Sequence, residues 1–169
     1  MNEIRKVVDL IRDCLERDNK VITFGVGGNA ANAMHFAAEL SGKFEQHEQP
    51  LSCICLCDNP CILTAITNDF GWDHVFERQI LGIGKPGDVV VAFSISTKGQ
   101  YLINAHSASK QRGCSFVLIC GEYTREFLPD VLMEIGSSDT LGVQEEQLRL
   151  LHEICREVKE FARDRSLQV

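Results

Sequence analysis

The sequence predicts one α/β domain, a three-layer sandwich in which helices cover both faces of an open, five-stranded parallel sheet. Three observations predict it. Strand-like apolar runs alternate with runs of helical spacing through the body of the chain. The first such strand passes through a glycine turn, Gly25-Val26-Gly27-Gly28, straight into a helical run opened by Asn29. And 169 residues at 44% hydrophobic content suffice for one sizeable core and are too apolar for a disordered chain. The domain should therefore span 1–169 without a linker, internal repeat or low-complexity tract.

Taken in order, Ile4, Val7, Val8, Ile11 and Leu15 fall at helical intervals and predict an amphipathic helix over 2–17. Asp18–Lys20 turns into a strand at about 20–25, and a helix from about 29 to 41 stops at Gly42. Lys43–Gln49 reads as a polar loop, and the near-continuous apolar run 51–57 as a strand covered on both faces. Asp58-Asn59-Pro60 combines a capping side chain with a first-turn proline, so a short helix should follow over 60–67. Asn68-Asp69-Phe70-Gly71 should break it, with helix resuming over 72–81. After the turn Lys85–Asp88 come a β-branched strand, 89–93, a helix from about 99 to 112, a strand over 115–120, and a last short strand over 131–135. The final helix should run from about 141 to 164, with Leu148, Leu151, Cys155, Val158 and Phe161 on one stripe.

Composition narrows the function. The net charge is −7 with the two signs mixed and no basic run, which argues against a nucleic-acid partner. No apolar run is long enough to span a bilayer, and the amphipathic start is unlike a secretory signal, so no membrane role and a cytoplasmic location are expected. In that compartment the eight cysteines should stay reduced. Cys14, Cys114, Cys120 and Cys155 read as small core residues. Cys53, Cys55, Cys57 and Cys61 lie closer together but contain no CxxC pair, and core packing is a better reading of them than a zinc knuckle.

Two strand-to-helix turns fall at carboxyl ends of strands, where open parallel sheets bind ligands. The turn at 25–29 is neither a dinucleotide fingerprint, since Ala30 replaces the third glycine, nor a P-loop, since it lacks Lys-Ser/Thr. Even so, free amides at a helix start favour an anion, typically phosphate. Ser94-Ile95-Ser96-Thr97-Lys98-Gly99 sets three hydroxyls at a second such point, where a plain helix cap is the competing reading. One turn or so into the first of these helices, His35 and Glu39 share a face. Gln144 and His152 are eight residues apart, and at ~100° per residue they point within about 80° of each other, toward the buried stripe. Buried polar groups need partners. Either these satisfy one another locally, or they meet His35 and Glu39 in a set suited to a divalent metal, zinc first.

GVGGNAANAMHFAAELSG, TNDFGWDHVFERQ, GDVVVAFSIST and VQEEQLRLLH, in that order, resemble the sugar-isomerase (SIS) domain and, more closely, the phosphoheptose isomerase family, from about residue 20 onward. The resemblance implies a flavodoxin-like sandwich, a homotetramer with active sites between subunits, and isomerisation of sedoheptulose 7-phosphate to D-glycero-D-manno-heptose 7-phosphate for lipopolysaccharide or capsule. It implies zinc ligands at His35, Glu39, Gln144 and His152, with Glu39 and His152 as the catalytic acid/base pair. Substrate contacts are implied at Val26, Gly27, Gly28, Asn29, Asn68, Asp69, Ser94, Ile95, Ser96, Gly99 and Gln144. Val26 stands where the family usually has Asn, and Asn29 and Gly99 stand where it usually has Ser, which removes hydroxyls from the phosphate cradle. Two other readings are a sugar-phosphate-binding SIS module without catalysis and an adaptor for the replication initiator DnaA. The DnaA-binding branch lacks a carboxylate at the position of Glu39, so this chain sides with the isomerases.

Overall fold

A computed structural model describes residues 3–45 and 49–166; in the final helix the side chains of Phe161 and of residues 164–166 lie outside that description. The elements run α1 (Glu3–Glu16), β1 (Val21–Gly25), α2 (Gly28–Ser41), β2 (Cys53–Cys55), α3 (Pro60–Phe70), a 3-10 turn (Trp72–His74), α4 (Val75–Ile83), β3 (Val89–Ser96), α5 (Gln100–Gln111), β4 (Ser115–Glu122), β5 (Val131–Glu134) and α6 (Thr140–Ser166). The strands form one parallel sheet in the order β2-β1-β3-β4-β5. This is the flavodoxin-like order, and the chain reverses its direction of travel between β1 and β3.

The period of two in a strand divides the apolar residues between two cores. Val21, Val89, Val91, Phe93, Val117 and Ile119 face α1, α2 and α6. Ile22, Phe24, Val90, Ala92, Phe116 and Leu118 face the layer of α3, α4 and α5, where Phe24 stacks on Phe76 at 4.4 Å. Cys14, Cys114, Cys120 and Cys155 are buried as expected, and burial pushes the Cys14 thiol up to about 11 and the Cys120 thiol up to about 12.

The structure departs from the sequence reading at several elements. β2 is a three-residue edge strand, not a strand covered on both faces: Ile54 is 36% exposed because it faces an open groove between β2, α3 and α4. α3 does not break at Asn68 but continues to Phe70 and ends at Gly71, whose φ of +90° a side chain would resist. Its start is as expected, Asn59 Oδ1 accepting from the Cys61 and Ile62 amides ahead of a first-turn proline. The helix expected over 72–81 is a 3-10 turn followed by α4. Strand β3 extends past residue 93 because Ser94 and Ser96 pair with Cys120 and Glu122 of β4. Of the loop expected over 43–49, residues 46–48 lie outside the described residues; among the others Phe44 is buried. Of the expected stripe on α6, Leu151, Cys155 and Val158 are buried and Leu148 half-buried, while Phe161 lies outside the described side chains.

Candidate active site

α2 and α6 lie side by side and run in the same direction. Gly28 meets Gln144, Asn32 meets Gln144 and Gln147, His35 meets His152, and the Lys159 ammonium donates to the Gly42 carbonyl at 3.1 Å. Both helices begin at the carboxyl edge of the sheet, since α2 follows β1 directly. One face of each helix therefore contributes polar groups to a shared seam, while the adjacent faces enter the core.

Midway along the seam, His35 Nε2 lies 2.9 Å from Glu39 Oε1 and 3.2 Å from His152 Nε2. The imidazole rings meet edge to face at 5.0 Å, and Phe44 flanks His152 at 6.3 Å. All three groups are half-buried, and their ligating atoms lie within 4.8 Å of one another. One proton on His35 Nε2 cannot lie along the line to Glu39 and the line to His152 at once. Two nitrogens and a carboxylate oxygen thus converge more closely than their own hydrogen bonds require. A four-coordinate ion with bonds of about 2.0–2.1 Å would have ligand atoms about 3.3 Å apart, close to these spacings. The donor set fits a divalent metal, and among the described residues it is the only such group of His, Cys, Asp or Glu. Among the described residues no cysteine joins it.

Gln144 lies eight residues, about 12 Å, nearer the start of α6 than His152. Its side chain covers Gly28, where a Cβ would stand 2.4 Å from Oε1. The carboxamide therefore lies at the start of α2, and the structure does not bring it into the His35–Glu39–His152 group. In the anion cradle the α2 N-terminus begins at Gly27 (φ +61°) with no side-chain cap, and the α5 N-terminus begins at Gly99, also uncapped. These two starts follow the adjacent strands β1 and β3, so both helix N-termini share one edge of the sheet, with the Asn29 and Ala30 amides turned back to the Val26 and Gly27 carbonyls. Gly27 and Gly28 are exposed, Val26 is half-buried, and Asn29 is buried with Oδ1 unpartnered among the described residues.

Not every expected hydroxyl points at this cradle. Ser94 Oγ donates to the Ser96 carbonyl at 2.6 Å, and the buried Thr97 hydroxyl donates to Glu126 at 2.6 Å beside Thr124. Those hydroxyl bonds hold the Glu126 carboxyl below the usual range. Ile95 and Ser96 are half-buried and Lys98 is exposed. Asn68 and Asp69, hydrogen-bonded to each other at 2.8 Å, are exposed on α3, in the opposite layer from His35, Glu39 and His152. One subunit does not bring them to the cluster.

Two residues of the site escaped the sequence reading. Phe44 sits in a polar stretch with no periodicity to mark it. Gln147 is fully buried between polar neighbours, and its signal was position: it falls four residues after Val143 and three or four before Leu150 and Leu151, on the buried stripe.

Comparison with known proteins places this geometry in context. Residues 1–121 match the family model described as SIS domain. A phosphoheptose isomerase from Campylobacter concisus is 36% identical over 165 residues, covering 96% of this chain and 87% of that protein. The structure of a phosphoheptose isomerase from Neisseria gonorrhoeae superposes with a TM-score of 0.87 at 32% identity, covering 95% of this chain and 86% of that one. One from Francisella tularensis, at 21% identity and a TM-score of 0.88, shares the fold.

Proposed function

The chain belongs to the SIS-domain family and, within it, to the phosphoheptose isomerases, and from that premise we propose that it interconverts sedoheptulose 7-phosphate and D-glycero-D-manno-heptose 7-phosphate. The observation that carries the reading is the convergence of His35, Glu39 and His152 two turns along a seam whose near end offers uncapped helix amides. A phosphate bound at those amides would hold one end of the sugar, and its binding energy would place the carbonyl end at the cluster.

His35, Glu39 and His152 would hold zinc, with Gln144 completing the set when its carboxamide swings from Gly28 toward them. When bound, the metal supplies positive charge against the oxyanion that develops as the carbon proton leaves. Glu39 takes the proton from the hydroxyl-bearing carbon and returns it to the neighbouring carbon that was the carbonyl. His152 carries the matching proton between the two oxygens, so charge is restored at the end of the cycle. Ser96 and the amides that open α2 and α5 bind the phosphate, with Lys98 adding positive charge beside them.

The reading extends to a cytoplasmic homotetramer with sites between subunits, making heptose for lipopolysaccharide or capsule. Two observations support the assembly. α3 has no buried residue, with Ile62 40% and Phe70 49% exposed beside a groove of about 580 Å³ shared with β2 and α4. And Asn68 and Asp69 could serve a cluster only by reaching a neighbouring copy's. The engagement of Ser94 and Thr97 within the chain favours one second reading, a sugar-phosphate-binding module without turnover.

The test is turnover of sedoheptulose 7-phosphate by the purified chain, before and after a chelator and after zinc is restored. Turnover that vanishes and returns with the metal supports the isomerase. Zinc-loaded protein that binds the sugar phosphate without converting it establishes the module instead.

A further inference from the structure

Gln147 is fully buried on α6, between Gln144 and His152. Its Nε2 donates to the Ser94 carbonyl at 2.9 Å and to the Ile119 carbonyl at 3.2 Å, while its Oε1 accepts from Asn32 Nδ2 at 3.2 Å. Asn32 Nδ2 also donates to the Gln144 backbone carbonyl at 3.1 Å. A single carboxamide thereby ties α6 to the ends of β3 and β4 and to α2. Each attachment is next to working parts. Ser94 begins the segment leading to the α5 N-terminus, and Asn32 stands one turn past Gly28 and one turn before His35. Sliding α6 along this seam would strip partners from several buried polar groups at once, each with its own desolvation cost.

We propose that Gln147 is a positioning residue that fixes the span between the anion cradle and the His35–Glu39–His152 cluster, and so selects phosphorylated ketoses by chain length. The proposal rests on the isomerase reading above. A sugar phosphate held at both ends works as a ruler: its phosphate sits at the start of α2 and α5, and its reacting carbons sit at Glu39 and His152. With the span fixed, a ketose of one length reaches both ends in reacting geometry. With α6 loosened, each end keeps its own ligand but the two are out of register. A misplacement of ~1 Å at reacting atoms costs about 100-fold in rate.

The experiment compares the zinc-loaded full chain with Gln147→Leu, Asn32→Ala and the double variant. For each it measures kcat and KM on sedoheptulose 7-phosphate and on the six-carbon fructose 6-phosphate, bound zinc, and affinity for inorganic phosphate. We expect kcat on the seven-carbon substrate to fall about 10- to 100-fold, with bound zinc and phosphate affinity within about twofold of wild type. The preference for seven carbons over six should narrow. The double variant should be no worse than the worse single, because both break one link. A folded Gln147→Leu with kcat within about twofold of wild type overturns the proposal. So do losses that track zinc or phosphate binding, or single effects that multiply. If Gln147→Leu does not fold, Asn32→Ala breaks the same link from α2 and faces the same criteria. An inactive wild type overturns the isomerase reading, and this proposal with it. An active wild type beside an equally active variant overturns this proposal alone.

Discussion

The two ends of this sheet treat polar groups in opposite ways. At the amino end, the carboxylate of Asp88 is completely buried and fully engaged: it accepts from the Lys20 ammonium and amide, from Asn19 Nδ2 at 3.0 Å and from the Lys85 amide at 2.9 Å. Arg112 Nε caps the Gly84 carbonyl at 2.7 Å close by. At the carboxyl end, two helix starts lack side-chain caps, Asn29 Oδ1 has no partner among the described residues, and three side chains of a kind that can hold a metal crowd one point. The two ends share β1 and β3, so the difference lies in the turns. One end is satisfied by its own atoms and holds the fold. The other leaves donors and acceptors open and forgoes that stabilisation in return for a place to bind.

Substitutions can break this contrast. The largest effect should come from Glu39→Gln, which keeps the shape and removes the proposed base. Turnover should fall by about 1,000-fold, about 4 kcal/mol in barrier, with the urea midpoint almost unchanged, as a coupled assay and denaturation curves would show. Asp88→Ala should do the reverse. Removing one partner of a buried ion pair should lower stability by about 3 kcal/mol while kcat per folded molecule stays within about twofold.

The same carboxylate gives the contrast a pH dependence. Burial alone would push the Asp88 carboxyl up, but hydrogen bonds from Lys20, Asn19 and Lys85 outweigh it and hold the group below its ordinary value. Its contribution is therefore fully present above the unfolded value of about 3.9 and is lost as pH falls toward the lower folded value. Acid titration followed by circular dichroism should show stability falling below about pH 4, with a shallower fall in Asp88→Ala.

Glycines at the two ends sharpen the comparison at smaller scale. Gly87 has φ +92° and its Cβ would meet Asn19 Oδ1 at 2.8 Å, so Gly87→Ala should lower stability by about 1–2 kcal/mol and leave KM alone. Gly28→Ala should displace only Gln144. We expect KM to rise about fivefold, roughly 1 kcal/mol, with no change in thermal midpoint.

How much of this was legible in the sequence differs between the ends as well. Alternation of strand and helix gave the architecture, because each parallel strand requires a crossover. His35 with Glu39 was readable from spacing, and His152 from its place beside the buried stripe. What stayed hidden depends on approach through space. Asn68 and Asp69 read as a breaker because they are polar, yet α3 runs through them to Gly71, where the backbone itself turns. The apolar run at 51–57 suggested two-sided burial, but apolar character does not say whether a helix packs over each face, and Ile54 faces an open groove. Gln147 looks like its exposed neighbour Glu145 until Asn32, Ser94 and Ile119 are seen to close around it.

The placement of sulfur carries a practical consequence. Cys61 stands in solvent at the start of α3, whereas Cys14, Cys114, Cys120 and Cys155 are sealed in the cores with their thiols pushed up by burial. A thiol-directed dye would label Cys61 within the intact fold and reach those four only as the cores open. The molecule therefore carries its own built-in gauge of opening, and a fluorophore on Cys61 would report from the same apolar helix through which the subunits are proposed to meet.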